Sequence, residues 1–402
     1  MKLLAENNTS FTSSIDQAHR PESSIVCRYR NAVQLDDRQD NDLLLKQYLL
    51  DTSISEGARI VPLMTYKDVE LHILDETSRM ATRSLKSIDG CLAAAFCRLE
   101  GNKRVVFESG GNTGSALTRY GQNAGMETFF FFPLDNLDLL DSRLFQDRKA
   151  HLVGVGNRGQ VKEFTGLFAK TTGIRHIPDK SWRNASAMFR GLFILEHLLT
   201  VQKYDWLTQS VSAAFGPIGI YHVLQTFAAE LGSLPRFLGI QQEANCPMFE
   251  AWKPNARKKD DRQQEEKLLT RVMYDETPQT YKTYDELQQL LRMAQGDLLT
   301  VNEEEFYSRL RPSGEYDQIL ELLRSQNIAI SLRSDDIIEK TGMIALVGTL
   351  KAIDAGKIKA GSRVLCCLTS GVSDADGQAQ PEKIMRAAQD VLQYAETIPG
   401  EK

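Results

Sequence analysis

Residues 107–115 read Phe-Glu-Ser-Gly-Gly-Asn-Thr-Gly-Ser, and this stretch decides the fold. The apolar run Val105-Val106-Phe107 precedes it and predicts a strand, and a helical pattern follows through Ala116, Leu117 and Tyr120. A glycine-rich turn between a strand and a helix presents free backbone N–H groups, which suit a carboxylate or a phosphate. The stretch therefore predicts an anion-binding turn.

A lysine stands upstream of this turn. Lys86 follows Ser84 and Leu85 and precedes a helical run from Cys91 to Phe96. A lysine amine can form an imine with a carbonyl group, and an anion-binding turn can hold the carboxylate of an amino acid. The combination is typical of enzymes that activate amino acids through a Schiff base.

Other segments occur in the order and spacing of a known family. They are Glu56-Gly57, Pro62-Leu63, Lys86, residues 109–114, Phe215-Gly216-Pro217-Ile218-Gly219, Gly239-Ile240-Gln241-Gln242-Glu243 and Leu368-Thr369-Ser370-Gly371. Over roughly residues 50–385, the sequence resembles the threonine synthase-like branch of the pyridoxal 5'-phosphate (PLP)-dependent enzymes of fold type II, the tryptophan synthase β fold. Lys86 together with residues 109–114 is the specific part of this resemblance.

The resemblance implies a tryptophan synthase β-like α/β fold with two α/β subdomains and the cofactor in the cleft between them. Residues 95–200 would form a small mobile subdomain, and residues 51–94 and 201–402 a large PLP-binding subdomain. Residues 1–50 are polar, and we interpret them as an N-terminal extension that is partly disordered or lies on the surface. The family is commonly dimeric, which implies a homodimer by analogy.

Strand-then-helix units repeat after Glu108, which predicts a mainly parallel sheet covered by helices. The pattern predicts strands at residues 69–74, 129–132, 151–155, 175–177, 211–215, 237–240 and 363–368. It predicts helices at residues 137–145, 161–171, 185–201, 220–231, 284–294, 303–310, 315–326 and 341–355.

The resemblance also implies which residues bind the cofactor. Lys86 would carry PLP as an internal aldimine and then act as the general base at the substrate Cα, and Asn112 would bind the phenolic oxygen of the ring. Thr369, or its neighbour Ser370, would face the pyridine nitrogen. A hydroxyl there favours elimination and replacement over transamination.

The phosphate of PLP would be wrapped by backbone N–H groups where the family has a strand-to-helix turn. Gly216 and Gly219 fall in this turn, and glycines permit a close approach of the backbone. Pro217 departs from the family pattern because it has no N–H group. We therefore expect the donors to be centred on Ile218, Gly219 and Ile220.

Substrate binding is implied for the anion-binding turn and for cations elsewhere. Ser109, Gly110, Gly111 and Thr113 would receive the substrate carboxylate. Threonine synthases also bind a phosphate group of their substrate. When the sequence is aligned with that family, Arg143 stands at the position of the usual phosphate-binding lysine and Ser181 is retained. The position of the usual arginine falls near Ser186. Arg83, beside Lys86, either binds an anionic group or is a surface arginine.

These residues predict a PLP-dependent lyase or synthase that catalyses β- or γ-elimination or replacement on an amino acid with an anionic or activated side chain. Threonine synthase proper, a β-replacement synthase on serine or O-phosphoserine (cysteine or cysteate synthase-like), and a dehydratase or racemase remain open. A protein that binds PLP without turnover is an alternative of another class. The motif Gly154-Val155-Gly156-Asn157-Arg158-Gly159 alone would instead predict a dinucleotide site.

Composition narrows the class of protein. The chain has 402 residues, of which 42% are hydrophobic and 25% charged, as in an ordinary soluble protein. A net charge of −5 indicates neither nucleic-acid nor membrane-surface binding. The 6 cysteines form no C-x-x-C pair and no zinc-ribbon spacing, so we expect a reducing compartment and no metal.

The N-terminus lacks the pattern of a signal peptide, and we expect a cytoplasmic protein. The resemblance implies that its partner is a small amino-acid substrate.

Overall fold

The computed structural model describes residues 2–3, 10–34, 39–177, 180–256, 267–275, 277–310, 317–328, 332–333, 336–337, 340–370 and 379–399. Gly371 and the first two residues of the helix predicted at 315–326 lie outside the described residues.

The strands are β1 Lys2–Leu3, β2 Val33–Gln34, β3 Arg59–Tyr66, β4 Val69–Asp75, β5 Arg104–Glu108, β6 Glu127–Pro133, β7 Ala150–Val155, β8 Arg175–His176, β9 Trp206–Ser210, β10 Arg236–Gln242, β11 Asp297–Val301, β12 Leu332–Arg333, β13 Asp336–Ile337, β14 Arg363–Leu368 and β15 Lys383–Met385.

The α-helices are α1 Ile25–Tyr29, α2 Gln39–Thr52, α3 Lys86–Leu99, α4 Asn112–Asn123, α5 Val161–Thr172, α6 Lys180–Thr200, α7 Phe215–Thr226, α8 Ala228–Leu231, α9 Pro247–Trp252, α10 Tyr284–Met293, α11 Glu303–Leu310, α12 Asp317–Ser325, α13 Thr341–Asp354 and α14 Ala388–Thr397. None of the helices in the described ranges combines the length and apolarity that crossing a membrane requires.

Two large sheets organise the described part of the chain. The larger has the strand order β11-β10-β9-β14-β4-β3 and is parallel except for the edge strand β3. The smaller has the order β15-β7-β6-β5-β8 and is parallel throughout. Phe129–Phe132 in β6 are fully buried, as expected for a parallel strand covered by helices on both faces. The predicted α/β class is therefore confirmed.

The site forms at the carboxyl ends of parallel strands. β4, β9 and β14 of the larger sheet are followed by the segments that contain Lys86, residues 211–217 and residues 369–370, respectively. β5 of the smaller sheet is followed by residues 109–113. The carboxyl ends of parallel strands are where open α/β folds bind their ligands.

The C-terminal part of the chain pairs and packs with the smaller sheet. β15 pairs with β7, and α14 packs against α5. Residues 383–397 therefore belong with the smaller sheet, although the sequence assigned all of 201–402 to the larger subdomain. The two sheets support a division into two subdomains, and the boundaries stay a prediction.

The N-terminal segment is packed into the fold where the structure describes it. Every residue of α1 is buried, and Phe11 is 1% exposed. The Arg28 guanidinium donates to Glu196 of α6, with Nε 2.8 Å from a carboxylate oxygen. The predicted surface position is thus wrong for α1, whose apolar side chains pack beside α6, whereas Thr12, Ser13, Glu22 and Ser23 are exposed.

Two predicted elements differ from the structure. Residues 137–145 form no α-helix but parts of two 3-10 helices, Leu134–Leu139 and Ser142–Phe145, because Leu140 is extended between them and Asp141 caps the second. The strand predicted at 211–215 lies earlier, as β9, and Phe215 begins α7. β9 is buried although half polar, because Thr208 and Gln209 have buried partners in Thr349 and Arg190.

Candidate active site

A cavity of about 210 Å³ lies where the segments that follow β4, β5, β9 and β14 meet. Its wall includes Lys86, residues 109–113, residues 209–217 and residues 369–370. The structure thus brings together most of the residues that the sequence predicted: Lys86, Ser109, Gly110, Gly111, Asn112, Thr113, Gly216 and Thr369. Their individual roles stay predictions.

The Lys86 amine is paired with a carboxylate on its own helix. Its Nζ lies 2.8 Å from Oδ2 of Asp89, one turn along α3. The Lys86 side chain is 25% exposed, whereas that of Asp89 is 3% exposed. The hydroxyl of Ser186, in α6, donates to the other carboxylate oxygen and holds it in place. The i, i+3 spacing of Lys86 and Asp89 was a signal for this pair that the sequence reasoning missed.

The start of α3 is tied to the end of β14. The backbone N–H of Leu85 donates to the carbonyl of Thr369 over 3.0 Å, and Ser84 forms a β-bridge with Ser370. The amide of Asn112 donates to the Ser370 hydroxyl, with Nδ2 and Oγ 3.0 Å apart. These bonds fix Lys86, Asn112 and the Thr369–Ser370 hydroxyls relative to one another.

The anion-binding turn has the geometry expected from its sequence. α4 begins at Asn112, and the residue before it supplies no side-chain cap. The first intrahelical bond of this end runs from Ser115 N–H to the Gly111 carbonyl. The N–H groups of residues 112–114 therefore have no acceptor within the helix and suit a carboxylate.

The N–H groups predicted to bind the phosphate, those of residues 218–220, are not the free ones at the start of α7. Ile218 N–H donates to the Ala214 carbonyl at 3.2 Å as part of α7. Gly219 faces α6, since an added Cβ would lie 2.4 Å from the Ala187 Cβ, and Ile220 is fully buried in the core. The structure therefore does not bring Ile218, Gly219 and Ile220 to the cavity as donors. The free amides of this helix end are those of Phe215 and Gly216.

Two predicted substrate residues, Arg143 and Arg83, are not brought to the cavity. Arg143 pairs with Asp141 at 2.8 Å, and its side chain is 58% exposed. The Arg83 guanidinium donates to the Ser78 carbonyl at 2.9 Å and lines a separate cavity of about 510 Å³. Ser181 lies in the first turn of α6, and its side chain is outside the described part.

Arg183, which the sequence analysis did not predict as a site residue, lines the cavity. The Arg183 guanidinium carbon lies 5.5 Å from the ring centroid of Phe215 and 5.4 Å from that of Tyr281. Arg183 and both rings line the cavity. Sequence reasoning missed Arg183 because residues 182–185 were noted only as a departure from the family pattern. A cation held against two aromatic faces in a partly closed cavity suits an anionic ligand.

A buried carboxyl lies beside residues 211–217, the turn predicted to bind the phosphate and called the phosphate turn below. The Ser212 hydroxyl, at the cavity wall, donates to Asp275 over 2.7 Å. Burial raises the pKa of Asp275 to about 6, although the Ser212 hydroxyl and the charge of Arg183 act in the opposite direction. Folding therefore raises the proton affinity of this carboxyl.

This shift predicts a pH-dependent stability difference between the protein and its Asp275→Asn variant. Between about pH 4 and 6 the unfolded chain has released this proton and the folded chain keeps it, so wild-type stability falls as pH rises through this window. The variant lacks this loss, which is at most about 2–3 kcal/mol. We expect its Tm, relative to wild type, to rise from pH 4 to pH 6 and then level off. A difference constant over this range would contradict the raised pKa.

The residues at the cavity fit PLP. Lys86 supplies a primary amine, Asn112 an amide donor, and Thr369 and Ser370 hydroxyls. Gly216 leaves the helix end open, since an added Cβ there would lie 2.5 Å from Nη1 of Arg190. That nitrogen is buried and has no hydrogen-bond partner among the residues that the structure describes.

The glycine motif at 154–159 is covered by neighbouring residues and presents no open turn to a ligand. Gly154 lies within β7, which pairs with β15, and an added Cβ would lie 2.6 Å from Leu134 Cδ2. The N–H of Gly156 already donates to the carbonyl of Met385. A dinucleotide phosphate needs free N–H groups at this turn, so this geometry does not favour the dinucleotide site.

No protein-family profile matches the chain. Among characterised proteins, it is similar to cysteate synthase of Methanosarcina barkeri, with 23% identity over 305 residues, which are 72% of this chain and 68% of the relative. Cysteate synthase of Methanosarcina mazei is similar to the same extent.

Solved structures are similar to a larger part of this chain than the two cysteate synthases are. Threonine deaminase isoform 2 of Solanum lycopersicum has a TM-score of 0.58 at 15% identity, covering 85% of this chain and 87% of that one. O-ureido-L-serine synthase has a TM-score of 0.56 at 14% identity, covering 80% and 91%. Diaminopropionate ammonia lyase of Escherichia coli has a TM-score of 0.58 at 12% identity, covering 90% and 93%. The chain therefore has the fold of the fold type II PLP-dependent enzymes, as its sequence predicted.

Proposed function

We propose that the chain is a PLP-dependent lyase or synthase that catalyses β- or γ-elimination or replacement on an amino acid with an anionic or activated side chain. The observation that carries the proposal is the meeting of Lys86, the anion-binding turn and the start of α7 at one cavity. The relatives and structural neighbours support it, because those whose activities are named are synthases, a deaminase and an ammonia lyase.

Each residue of the cavity has a distinct task in this proposal. When bound, PLP supplies an electron sink that acidifies the substrate Cα. The Lys86 amine takes and returns the Cα proton, and Asp89, 2.8 Å away, orients the amine and balances its charge. The N–H groups of residues 112–114 hold the substrate carboxylate, and this fixes the direction in which the Cα–H bond points.

The cavity favours an anionic group on the substrate side chain. Arg183 lines the cavity, as Lys86 and Arg190 do, whereas the threonine synthase alignment had pointed to Arg143, which lies away from it. The aligned phosphate-binding residue of threonine synthases, Arg143, lies away from the cavity, so we place β-replacement or β-elimination on O-phosphoserine, or a similar β-substituted amino acid, ahead of threonine synthesis. The 23% identity with cysteate synthase supports the same choice.

The test is a substrate panel with the PLP-loaded protein. We expect phosphate release from O-phospho-L-serine, and slower or no release from O-phosphohomoserine. Added thiol or sulfite nucleophiles distinguish replacement from elimination by the amino acid that forms. Binding of PLP without turnover of any member of the panel would favour the non-catalytic alternative.

Replacing Arg183 with methionine is expected to lower kcat/KM for O-phospho-L-serine by about 10- to 100-fold, because a charge-assisted contact with the substrate anion is lost. Activity with a neutral β-substituted substrate should change much less. The matched control is Arg143→Met, which removes an exposed arginine away from the cavity and should leave both activities unchanged. Equal losses for the two substrates would contradict anion recognition by Arg183.

We further propose a cytoplasmic homodimer, by analogy with the family. Light scattering of the purified protein tests the dimer, and a mass of about one chain would contradict it.

A further inference from the structure

A buried cation lies beneath the start of α7. The side chain of Arg190, in α6, is 0% exposed and pairs with Glu76, whose side chain is 1% exposed. Nε and Nη2 of the guanidinium donate to the two carboxylate oxygens over 2.5 and 2.6 Å, and Nη2 also donates to Gln209 Oε1 at 2.8 Å. These bonds hold the guanidinium in one orientation.

The third nitrogen of this guanidinium, Nη1, is buried and makes no hydrogen bond with any residue in the described ranges. Buried N–H groups in native proteins are nearly always hydrogen-bonded, and one that is not requires an explanation. A ligand that accepts this hydrogen bond is a direct explanation.

Nη1 points towards the phosphate turn. An added Cβ at Gly216 would lie 2.5 Å from Nη1, and both residues line the cavity. Glycine at this position therefore lets the backbone of the turn approach the guanidinium. A larger side chain would stand between them.

The phosphate turn is short of donors of its own. Ala214, at the N-cap of α7, offers no side-chain cap, and Pro217 has no N–H group. The N–H of Ile218 is engaged within the helix. Within the first turn of α7, Phe215 and Gly216 supply the remaining amides, whereas a phosphate group has three terminal oxygens, each able to accept more than one hydrogen bond.

We propose that Nη1 of Arg190 donates a hydrogen bond to the phosphate group of the bound cofactor and replaces the amide that Pro217 lacks. The identity of the phosphate-bearing ligand rests on the proposed function. Glu76 and Gln209 are positioning residues in this arrangement, because they fix the guanidinium through its other nitrogens.

The test compares binding of PLP with binding of pyridoxal, which lacks the phosphate, to the full-length protein. Arg190→Lys keeps the charge that pairs with Glu76 and removes Nη1. We expect its Kd for PLP to rise about 10- to 100-fold, as for loss of a charge-assisted hydrogen bond, and its Kd for pyridoxal to stay within about twofold. Both constants come from absorbance titrations.

A double variant gives an independent measurement. Glu76→Gln with Arg190→Gln removes both charges of the pair together with Nη1, and Arg143→Gln, which removes an exposed arginine away from the cavity, is its control. We expect the double variant to lose the preference for PLP over pyridoxal, and the control to keep the wild-type preference. An unchanged preference in Arg190→Lys and in the double variant would overturn the proposal, as would an equal loss of affinity for both compounds.

These outcomes are separable from failure of the proposed function. If wild type binds neither PLP nor pyridoxal, the proposed function fails. If wild type binds both and the variants keep its preference for PLP, only the role of Arg190 fails.

Discussion

The Lys86→Ala variant is expected to lose at least about 10³-fold in turnover with the preferred substrate, because it removes both the covalent attachment point and the proposed base. The cavity and the Asp89–Ser186 contact remain, so the loss is one of chemistry. Steady-state phosphate release from the PLP-loaded variant measures it. Lys359→Ala, at an exposed lysine far along the chain, is the control and should keep wild-type turnover.

A thermal melt accompanies this measurement. Loss of the Lys86 amine leaves the buried Asp89 carboxylate without its cation, so we expect the Tm of the variant to fall while the variant stays folded. Lys86→Ala that retains a tenth of wild-type turnover would contradict the proposed role, whereas an unfolded variant would show that the Lys86–Asp89 pair is structural.

Glu56→Ala is expected to lower the free energy of unfolding by about 3–5 kcal/mol, because it leaves several buried donors unpaired. Glu56 is 0% exposed and accepts hydrogen bonds from the hydroxyls of Ser24 and Tyr120, both at 2.5 Å, and from the N–H of Ile54 at 2.9 Å. It thereby joins the segment before α1 to α4, the helix that follows the anion-binding turn. Urea denaturation measures the change.

The control for this prediction is Glu163→Ala, which removes an exposed carboxylate on α5 and should change the free energy of unfolding by less than about 0.5 kcal/mol. Glu56→Gln keeps one acceptor oxygen and should cost less than Glu56→Ala. A loss below about 1 kcal/mol for Glu56→Ala would show that the donors of Ser24, Tyr120 and Ile54 find other partners.

The part of the site that could be predicted from sequence is the part made by local geometry. Glycines and small polar residues between an apolar run and a helical pattern define the turn at 109–113. A strand-to-helix turn at 213–217 is detected in the same way, although its exact start was misplaced. Lys86 could be placed because it lies at a helix start in a recognisable order of segments.

What could not be predicted depends on contacts between distant segments. Arg190 lies in an apolar helix, and only the fold shows that Glu76 pairs with it, since 114 residues separate them. The choice of Arg183 over Arg143 likewise depends on which arginine faces the cavity. The polar strand β9 was predicted too late in the sequence, at 211–215, because the buried partners of its polar side chains, and not its own apolarity, stabilise it.

The N-terminal segment shows the same limit. Its composition is polar, which favours exposure, yet the apolar side chains of α1 pack against α6. A few apolar residues suffice when a neighbouring helix offers a complementary face, and composition averaged over fifty residues does not reveal them.

The most direct test of the central claim, that PLP is bound through Lys86, is borohydride reduction of the PLP-loaded protein followed by peptide mass spectrometry. We expect one covalent adduct, with the mass of a pyridoxyl phosphate group, on the peptide that contains Lys86 and on no other. No adduct under saturating PLP, or an adduct on a different lysine with Lys86 unmodified, would contradict the claim.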